Sequence, residues 1–486
     1  PDAPATPGNV ALWILLPACG SVALLATTNA LCQDVAVVPL LWVLPLACYL
    51  VSFIVCFGSD RAYERAAFVP ATALCLVALT TLVGLDQIID FRVQIAVYCL
   101  ALFGCCMLCH GELVRLRPGA ARLTQFYLAM SAGGALGGLF VAVVAPLVFD
   151  EYHELPLALV ATLALWLVAV WRDPRSALHR GRPRAAWAVL AALLLAYAGV
   201  NAQQVRDATV GFDSVARNFY GVLRTYTEPN EDFGDEQRVL LHGAVDHGFQ
   251  FLSPENRRLP VAYYGPEAGV GVAARNLSRP GGRTLGVVGL GAGALAAYVQ
   301  PGDRLRFYEI NPLVIELARE RFTYLAECPG TCEVVLGDAR LVLEAELEAS
   351  GGRGLGYDLL VLDAFSGDAP PTHLLTREAF ALYLKHLAPD GVLAVNVSNS
   401  YVDLTPLVWR LAQEQGIEPL LFEAQEDLSR GVYDADWVLL ARDRAWAEQP
   451  AVWEASVEVE AADLARFAEI RVWTDDYSNL LQLLLR

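Results

Sequence analysis

The chain has 486 residues, of which 55% are hydrophobic and 18% are charged, and its formal net charge is −18. This composition is too apolar for an ordinary soluble protein of this length, and the apolar excess lies before residue 202. The negative charge comes mostly from the C-terminal part and argues against a nucleic-acid partner.

The first residues, 1–8, read PDAPATPG and are predicted to form an exposed linker. The chain begins with Pro1 rather than Met, and no signal peptide with a cleavage site is present. We therefore expect an upstream portion of the protein to be missing.

Residues 9–202 are predicted to form a transmembrane domain of about seven helices, since a span needs about 20 mostly apolar residues. The candidate segments are 10–31, 36–57, 66–85, 90–110, 124–149, 155–171 and 185–202. The fifth segment contains overlapping GxxxG patterns at Gly133, Gly134, Gly137 and Gly138. Small residues at this spacing favour close helix packing over a role in binding a ligand.

The loops between these segments alternate in charge. Loops 58–65, 111–123 and 172–184 contain ten arginines, whereas the opposite side has a single arginine, Arg92. The positive-inside rule places the arginine-rich side in the cytoplasm. With an odd number of spans after the arginine-rich side, the C-terminal domain is then predicted on the extracytoplasmic side of what we expect to be a bacterial inner membrane.

Polar residues cluster at two span ends on the side opposite the arginine-rich loops. They are Asn29, Gln33 and Asp34 after the first span and Asp150, Glu151, His153 and Glu154 after the fifth. They are either ordinary interfacial residues or the lining of a substrate entrance.

Nine of the eleven cysteines lie at or before Cys109, inside apolar runs, and are predicted to act as small hydrophobic residues. Cys106 to His110 matches a haem-attachment pattern, but a buried helix end with His110 and Glu112 paired is the favoured interpretation. Cys328 and Cys332 either form a disulfide or remain free thiols. No zinc-binding pattern is present, and no metal site is predicted.

The C-terminal half divides into a small β subdomain with a connecting helix at 203–283 and a larger domain at 284–486. Strand and helix alternate in the larger domain, which predicts a doubly wound, Rossmann-like α/β fold with a parallel sheet. The predicted elements are 284–289, 293–300, 304–309, 312–322, 333–336, 338–347, 357–363, 375–388, 391–397 and 404–415.

A nucleoside-binding site is predicted at the carboxyl ends of these strands. Gly289, Gly291 and Gly293 follow the first strand, where a turn lets the backbone approach a ligand closely. Glu309 ends the second strand at the position of a ribose ligand. Asp338 follows the third strand, where it can accept from an adenine amino group, and Asp363 and Asp368 follow the fourth. The GxGxxA pattern leaves a dinucleotide open, but these acids together favour an S-adenosylmethionine-dependent transferase fold.

The chain resembles the spermidine synthase family, and more closely its membrane-fused members. The stretches that carry the resemblance in the C-terminal half are RNFYGVLRT, HGAVDHGFQ, YYGPEAGVG, VVGLGAG, FYEINP, GDARLVLE, LDAFSGDAPPTHLLTREAF and TDDYSNLL. In the membrane half they are VPLLWVLPLACYLVSFIV, CHGELVRLRP and GGALGGLF. The likeness covers nearly the whole chain.

The resemblance implies aminopropyl transfer from decarboxylated S-adenosylmethionine to the amine of a small polyamine. Asp363 matches the family's proton acceptor, which lets the amine attack the carbon next to sulfonium. Glu309 matches the ribose ligand and Asp338 the adenine contact. Gln250 matches a glutamine near donor and acceptor, and Tyr264 is expected to pack on the acceptor.

Three departures from the family pattern bear on the substrates. Ala292 stands where the soluble enzymes have an Asp that holds the donor's ammonium, so S-adenosylmethionine itself or another donor stays open. Ser366 replaces the second loop acid, and the next acid is Asp368. His373 is an added titratable group near that loop, either a base or, as we favour, a residue that stabilises the loop.

Two other functions stay open. A repurposed transferase-fold enzyme would act on a membrane-borne or extracytoplasmic acceptor, with a different donor or none, through an entrance near Asp34 and Glu154. A transporter or sensor would use the nucleoside fold only for regulation, although the span centres contain almost none of the charges that coupled transporters need. The sequence leaves a homo-oligomer open and specifies no partner beyond the lipid bilayer and the acceptor.

Overall fold

The computed structural model describes residues 6–35, 40–59, 61–85, 89–181, 183–243, 245–365 and 370–484. The chain forms two compact units. One comprises Pro1–Gly211 with Val215–Val222, and the other comprises Phe212–Ser214 with Leu223–Arg486. Each unit has its own hydrophobic core.

The first unit is helical apart from Val215–Val222. Its helices are α1 Pro7–Asn29, α2 Val43–Gly58, α3 Arg65–Val83, α4 Phe91–Arg115, α5 Leu123–Leu139, α6 Ala145–Val148, α7 Glu154–Arg172 and α8 Arg184–Asp207. Within the described residues, six helical segments are long and apolar enough to cross a membrane: Pro7–Cys32, Arg65–Val83, Phe91–Arg115, Ala120–Val148, Glu154–Arg172 and Arg184–Asp207. The remaining predicted segment, 36–57, contains the shorter apolar helix α2 of 16 residues.

The glycines of α5 make it possible for this helix to pack closely on α1. A Cβ atom at Gly133 would lie 2.2 Å from the carbonyl oxygen of Ile14, and one at Gly137 would lie 2.4 Å from that of Ala18. Both distances are far below a van der Waals contact, so only glycine permits this approach. The packing role predicted for these residues is confirmed at these two positions.

The predicted pairing of His110 with Glu112 near the end of α4 is wrong. The Nδ1 atom of His110 lies 3.0 Å from the hydroxyl of Ser52. Glu112 instead accepts hydrogen bonds from the Tyr63 hydroxyl at 2.9 Å and from Arg65 Nε at 2.7 Å. Residues two positions apart on a helix do not face each other, so each of the two side chains finds its partner on another element.

The four-stranded sheet follows α8 in the chain. Its strands are β1 Ser214–Asn218, β2 Gly221–Asn230, β3 Asp235–His242 and β4 Val245–Phe251, in spatial order β1-β2-β3-β4. β2 and β4 each pair with β3 in antiparallel fashion, with Tyr226 opposite Val239. Helix α9, Gly269–Asn276, comes next. The sequence predicts a small β subdomain and a connecting helix over this part of the chain, whereas Val215–Val222 group with the first unit.

The larger sheet has seven strands in the order β10-β11-β9-β8-β5-β6-β7. Its strands are β5 Thr284–Val288, β6 Arg304–Glu309, β7 Thr331–Leu336, β8 Tyr357–Leu362, β9 Leu387–Asn396, β10 Pro419–Ala424 and β11 Ala435–Ala441. Five neighbouring strands of this sheet pair in parallel, in the order β9, β8, β5, β6 and β7. β11 runs antiparallel to both of its neighbours, β10 and β9. The segment that joins β10 to β11 contains no crossover helix, and a parallel pairing of these two strands would require one. The sheet is therefore mixed rather than wholly parallel.

Helices cover both faces of this sheet. They are α10 Pro312–Glu320, α11 Ala339–Ala349, α12 Arg377–His386, α13 Thr405–Glu414, α14 Arg444–Ala447, α15 Pro450–Trp453 and α16 Ala461–Glu469. Leu359 and Val361 of β8 pack with α9 and α10 in one core, whereas Leu360 and Leu362 pack with α11, α12 and α13 in the other. This alternation is expected of a strand buried on both sides, and it confirms the doubly wound architecture.

One predicted helix is much shorter than expected. Residues 293–300 form only a 3₁₀ helix, Ala294–Tyr298. Pro301 follows so soon after the glycine turn that no longer helix can form, since the residue before a proline disfavours the helical conformation. The turn is thus not followed by an α-helix whose N-terminus faces the ligand site.

Candidate functional site

The glycine turn brings the carboxyl ends of β5 and β8 into direct contact. Gly289 has φ +99°, and a Cβ atom there would lie 2.1 Å from the carbonyl oxygen of Asp363. Gly291 has φ +53°, and a Cβ atom there would lie 2.8 Å from the carbonyl oxygen of His247. A side chain is excluded at both positions by conformation and by space. Because the chain leaves β5 toward β6 and returns at β8, this contact lies at the topological switch point of the sheet.

Glu309 lies beside this turn, as predicted. It is buried, and its two carboxylate oxygens accept hydrogen bonds from the backbone N–H of Leu290 at 3.0 Å and of Asn311 at 2.8 Å. Burial raises the pKa of Glu309, while the backbone N–H groups act in the opposite direction. The carboxylate is therefore oriented by the turn itself and keeps acceptor capacity for a pair of ligand hydroxyl groups.

Asp363 is the carboxylate at the centre of the site. The Tyr264 hydroxyl donates to its Oδ2 at 2.5 Å, and the Asn396 amide donates to its Oδ1 at 2.8 Å. Burial raises the pKa of Asp363, and these two hydrogen bonds oppose the rise. The side chain of Asp363 is half-buried and keeps some contact with solvent. Tyr264 thus holds the carboxylate directly, in addition to any contact with the acceptor.

Asn396 is a site residue that the sequence analysis missed. It is the last residue of β9, and Val395 pairs with Leu362, so Asn396 lies next to Asp363 across two adjacent parallel strands. The available signal was a polar residue directly after the apolar run VLAV, at the same edge of the sheet as the other acids. Asn396 acts on Asp363 and is a positioning residue.

We expect Asn396→Ala to move the acidic limb of the pH profile of kcat/KM to higher pH. The amide stabilises the ionised form of Asp363, so its removal raises the pKa of that carboxyl further. If Asp363 is the base that the family resemblance implies, protonation then inactivates it at higher pH. Tyr264→Phe removes the other hydrogen bond and should shift the limb in the same direction. A uniform loss of rate with an unchanged midpoint would show that Asn396 has only a structural role.

A second carboxylate, Asp246 of β4, was also missed although it lies inside the quoted stretch HGAVDHGFQ. It accepts from the Gly248 N–H at 2.7 Å and from the Tyr433 hydroxyl at 3.0 Å. Burial raises the pKa of Asp246 to about 6. The pKa of Tyr263 is raised by burial and then by the charges of Asp363 and Asp246. Tyr263 therefore lies within the electrostatic reach of both carboxylates.

The hydroxyls of Tyr264 and Tyr433 contact these two acids, and other aromatic rings pack against the two tyrosines. The ring of Tyr264 lies 5.0 Å from that of Tyr263 and 6.0 Å from that of Trp437, and the ring of Tyr433 lies 5.5 Å from that of Phe249. Two carboxylates that lie near one another attract ammonium groups by charge. The arrangement fits a substrate that carries protonated amines.

Gln250 does not have the free amide that its predicted role requires. It is buried, and its amide group donates to the carbonyl oxygen of Arg257 at 2.7 Å and to the hydroxyl of Thr323 at 2.9 Å. Its carbonyl oxygen accepts from the Thr323 N–H at 2.9 Å. These bonds tie β4 to the segment after α10, so Gln250 has a structural role in this geometry.

Asp338 and His373 form a pair of their own. Asp338 caps α11 by accepting from the Leu341 N–H at 3.0 Å, and its other oxygen lies 2.9 Å from His373 Nε2. The His373 ring is half exposed. This contact fits the loop-stabilising role favoured for His373, and it groups His373 with Asp338 rather than with Asp363. Asp368, the other predicted loop acid, lies outside the described residues.

Cys328 and Cys332 form a disulfide. The sequence leaves this bond open, and the structure decides in favour of it. It closes a small loop that runs into β7, since Cys332 is the second residue of that strand.

Comparison with known proteins supports the family resemblance. The chain is 31% identical over 150 residues to the polyamine aminopropyltransferase of Vibrio vulnificus, covering 30% of this chain and 46% of the relative. It is 27% identical over 164 residues to a probable polyamine aminopropyl transferase of Bifidobacterium longum, covering 33% of each chain. The chain thus spans less than half the length of these curated relatives. It matches no family model.

Among solved structures, a probable spermidine synthase from Corynebacterium glutamicum aligns with a TM-score of 0.43 and 17% identity, covering 56% of this chain and 98% of that one. This likeness is too distant to add to the argument from sequence. The sequence similarities and the fold together make this chain spermidine synthase-like.

Proposed function

We propose that this chain is a membrane-bound transferase that moves an aminopropyl group from decarboxylated S-adenosylmethionine to a primary amine of a polyamine. The observation that carries the proposal is the Asp363 carboxylate. It is held by Tyr264 and Asn396 against the glycine turn, and burial raises its pKa. The similarity to aminopropyltransferases supports the choice of reaction.

Asp363 would act as the general base. A polyamine amine is protonated at neutral pH, so a carboxylate must first attract it and then take a proton. The freed nitrogen lone pair forms the new C–N bond at the aminopropyl carbon, while the C–S bond breaks and methylthioadenosine leaves with its electron pair. The proton passes from Asp363 to solvent. A raised pKa makes Asp363 a stronger base than an ordinary aspartate, as this step requires.

The glycine turn fits the nucleoside of such a donor better than a dinucleotide. A dinucleotide places its pyrophosphate at the N-terminus of the helix after the turn. Here that helix is the five-residue 3₁₀ helix Ala294–Tyr298, which offers little dipole to an anion. Glu309, fixed by the turn at Leu290, would hold the ribose hydroxyls.

Asp246 would supply the carboxylate that Ala292 lacks. The segment of β4 that carries it lies on the glycine turn, since a Cβ atom at Gly291 would meet the His247 carbonyl and one at Gly248 would lie 3.5 Å from the Ala292 Cβ. A carboxylate from β4 can therefore bind the donor's ammonium from the other side of the turn.

We expect Asp246→Asn to raise the KM for decarboxylated S-adenosylmethionine roughly tenfold, because a charge-assisted hydrogen bond to an ammonium is lost. The KM for the diamine should change little. The wild-type KM for the donor should also rise as the pH falls through about 6, the pKa of Asp246, where the carboxylate becomes neutral. A rise in the diamine KM alone would instead place Asp246 at the acceptor.

The proposed reaction is tested with the full chain in lipid nanodiscs. Decarboxylated S-adenosylmethionine and putrescine are added, and methylthioadenosine and spermidine are measured by mass spectrometry. The proposal expects both products in equal amounts. No methylthioadenosine with putrescine, cadaverine or spermidine as acceptor would contradict it.

A repurposed enzyme acting outside the cytoplasm is the second candidate function. The Cys328–Cys332 disulfide favours it, since disulfides persist in oxidising compartments, and so does the arginine pattern of the loops. Alkaline phosphatase and green fluorescent protein fused after Arg486 would decide between the two. Phosphatase activity would favour the second candidate, and fluorescence would favour the cytoplasmic polyamine enzyme.

A further inference from the structure

A cavity of about 370 Å³ opens at the arginine-rich end of the helical unit. It is bounded by the start of α1, the end of α4, the segment between α4 and α5, and the end of α7 with the residues after it. Six arginines line it: Arg65, Arg115, Arg117, Arg122, Arg172 and Arg175. The positive-inside rule accounts for arginines on this side, but it does not require three separate loops to direct them into one cavity.

Two carboxylates also line the cavity, and both already form ion pairs with arginines. Glu112 is buried and pairs with Arg65 at 2.5 Å. Asp173 pairs with Arg65 at 2.7 Å and with Arg115 at 3.1 Å. The six arginines therefore exceed the acids by four positive charges, and the ion pairs fix Arg65 and Arg115 in place along one wall.

Three of the remaining arginines have no acidic partner within the part of the chain that the structure describes. Among the described residues, Arg122, Arg172 and Arg175 form no ion pair with a carboxylate. Arg172 donates to the Thr6 hydroxyl at 3.1 Å, and its guanidinium lies directly over Gly8, where a Cβ atom would come within 2.0 Å of it. The start of α1 thus leaves room for this guanidinium and holds it at the cavity.

We propose that this cavity binds a phosphate-bearing ligand. A guanidinium group can donate two parallel hydrogen bonds to two oxygens of one phosphate. Proteins commonly bind a phosphate group by placing several guanidinium groups around one cavity. The volume is within the range of small-ligand sites and exceeds what a single inorganic ion needs. The same chemistry is presented by an anionic lipid headgroup and by a soluble phosphate compound. A basic pocket among membrane helices on the arginine-rich side is a known setting for the former.

The experiment uses the full chain in nanodiscs and compares the two sources of phosphate. In the lipid arm, retention of phosphatidylglycerol relative to phosphatidylcholine is measured by native mass spectrometry. In the soluble arm, phosphatidylcholine nanodiscs are titrated with inorganic phosphate or pyrophosphate at constant ionic strength, and the thermal unfolding midpoint is recorded. The variant Arg122→Gln with Arg172→Gln removes two arginines that form no ion pair with any described carboxylate. Arg61→Gln is the matched control, because Arg61 is exposed in a loop on the same side but does not line the cavity.

We expect the double variant to lose roughly tenfold or more in affinity, as the loss of charged hydrogen bonds to phosphate implies, while Arg61→Gln binds like the wild type. A selective effect on phosphatidylglycerol supports the lipid headgroup, and one on phosphate or pyrophosphate supports a soluble ligand. No selective binding in either arm, or an equal loss in Arg61→Gln, overturns the proposal. If the double variant does not purify as a folded protein, Arg175→Gln, at an exposed position, is expected to weaken binding in the same direction.

Discussion

Asp363→Asn is expected to lower the rate of methylthioadenosine release on the order of 100- to 10,000-fold, the usual contribution of a general base. The amide keeps the shape of the side chain but has no basic oxygen to take the proton of the attacking amine. Folding should survive, because Tyr264 and Asn396 still find a polar partner at this position. Steady-state kinetics with decarboxylated S-adenosylmethionine and putrescine measure the effect, with thermal unfolding as the check on structure.

Asp358→Asn is the matched control. Asp358 is on the same strand, β8, but at its other end, where it binds Arg279 and the Thr284 N–H. The identical chemical change there removes a partner of Arg279 and should lower stability. It should leave the rate per folded molecule within a few-fold of wild type, since Asp358 lies far along the strand from the turn. Similar losses of rate in the two variants would refute a special role for Asp363.

Gly289→Ala is expected to produce the second large effect, on the structure of the site rather than on its chemistry. Its φ of +99° is strained for any residue with a Cβ, at a cost of about 1–3 kcal/mol. The added methyl would also lie 2.1 Å from the Asp363 carbonyl oxygen, so β5 and β8 must separate at the switch point. We expect donor binding and turnover to fall together, by on the order of 100-fold or more, as a displacement of about 1 Å at a reacting group implies.

Gly302→Ala is the control that separates the effect of backbone strain from the effect of a steric clash. Gly302 has a similar φ of +95°, but the nearest atom to an added Cβ is 3.6 Å away, an ordinary contact. This variant should lose stability through backbone strain and keep its activity. Differential scanning fluorimetry and donor-binding calorimetry on both variants test the distinction. If Gly302→Ala loses as much donor affinity as Gly289→Ala, then the contact with Asp363 is not what matters.

The fold was predictable because its signals are local. Runs of apolar residues gave the helical segments, and the alternation of short apolar strands with helical patterns gave the doubly wound sheet. The reversal of β11 was not predictable, because strand direction depends on which neighbour a strand pairs with rather than on its own composition. The helix after Gly293 was predicted to be longer than it is, because the effect of Pro301 in ending a helix was not taken into account.

The site was predictable only in part. Gly289, Glu309 and Asp363 were found because each ends a strand, and the carboxyl ends of parallel strands meet at one edge. Gln250 was assigned by resemblance, yet its amide is fully engaged with Thr323 and Arg257. A motif reports which residue type occupies a position but not which hydrogen bonds already hold it.

By itself, the sequence determined where the chain is apolar, where the glycine turn lies and which strands end in acids, because these features depend on neighbouring residues and on conformations only glycine adopts. Only the tertiary structure decided the partners: Tyr264 with Asp363 across 99 residues, Asn396 with Asp363, and Arg65 with both Glu112 and Asp173. Hydrogen bonds and ion pairs act over a few ångströms, and packing alone brings residues so distant in the chain within that range.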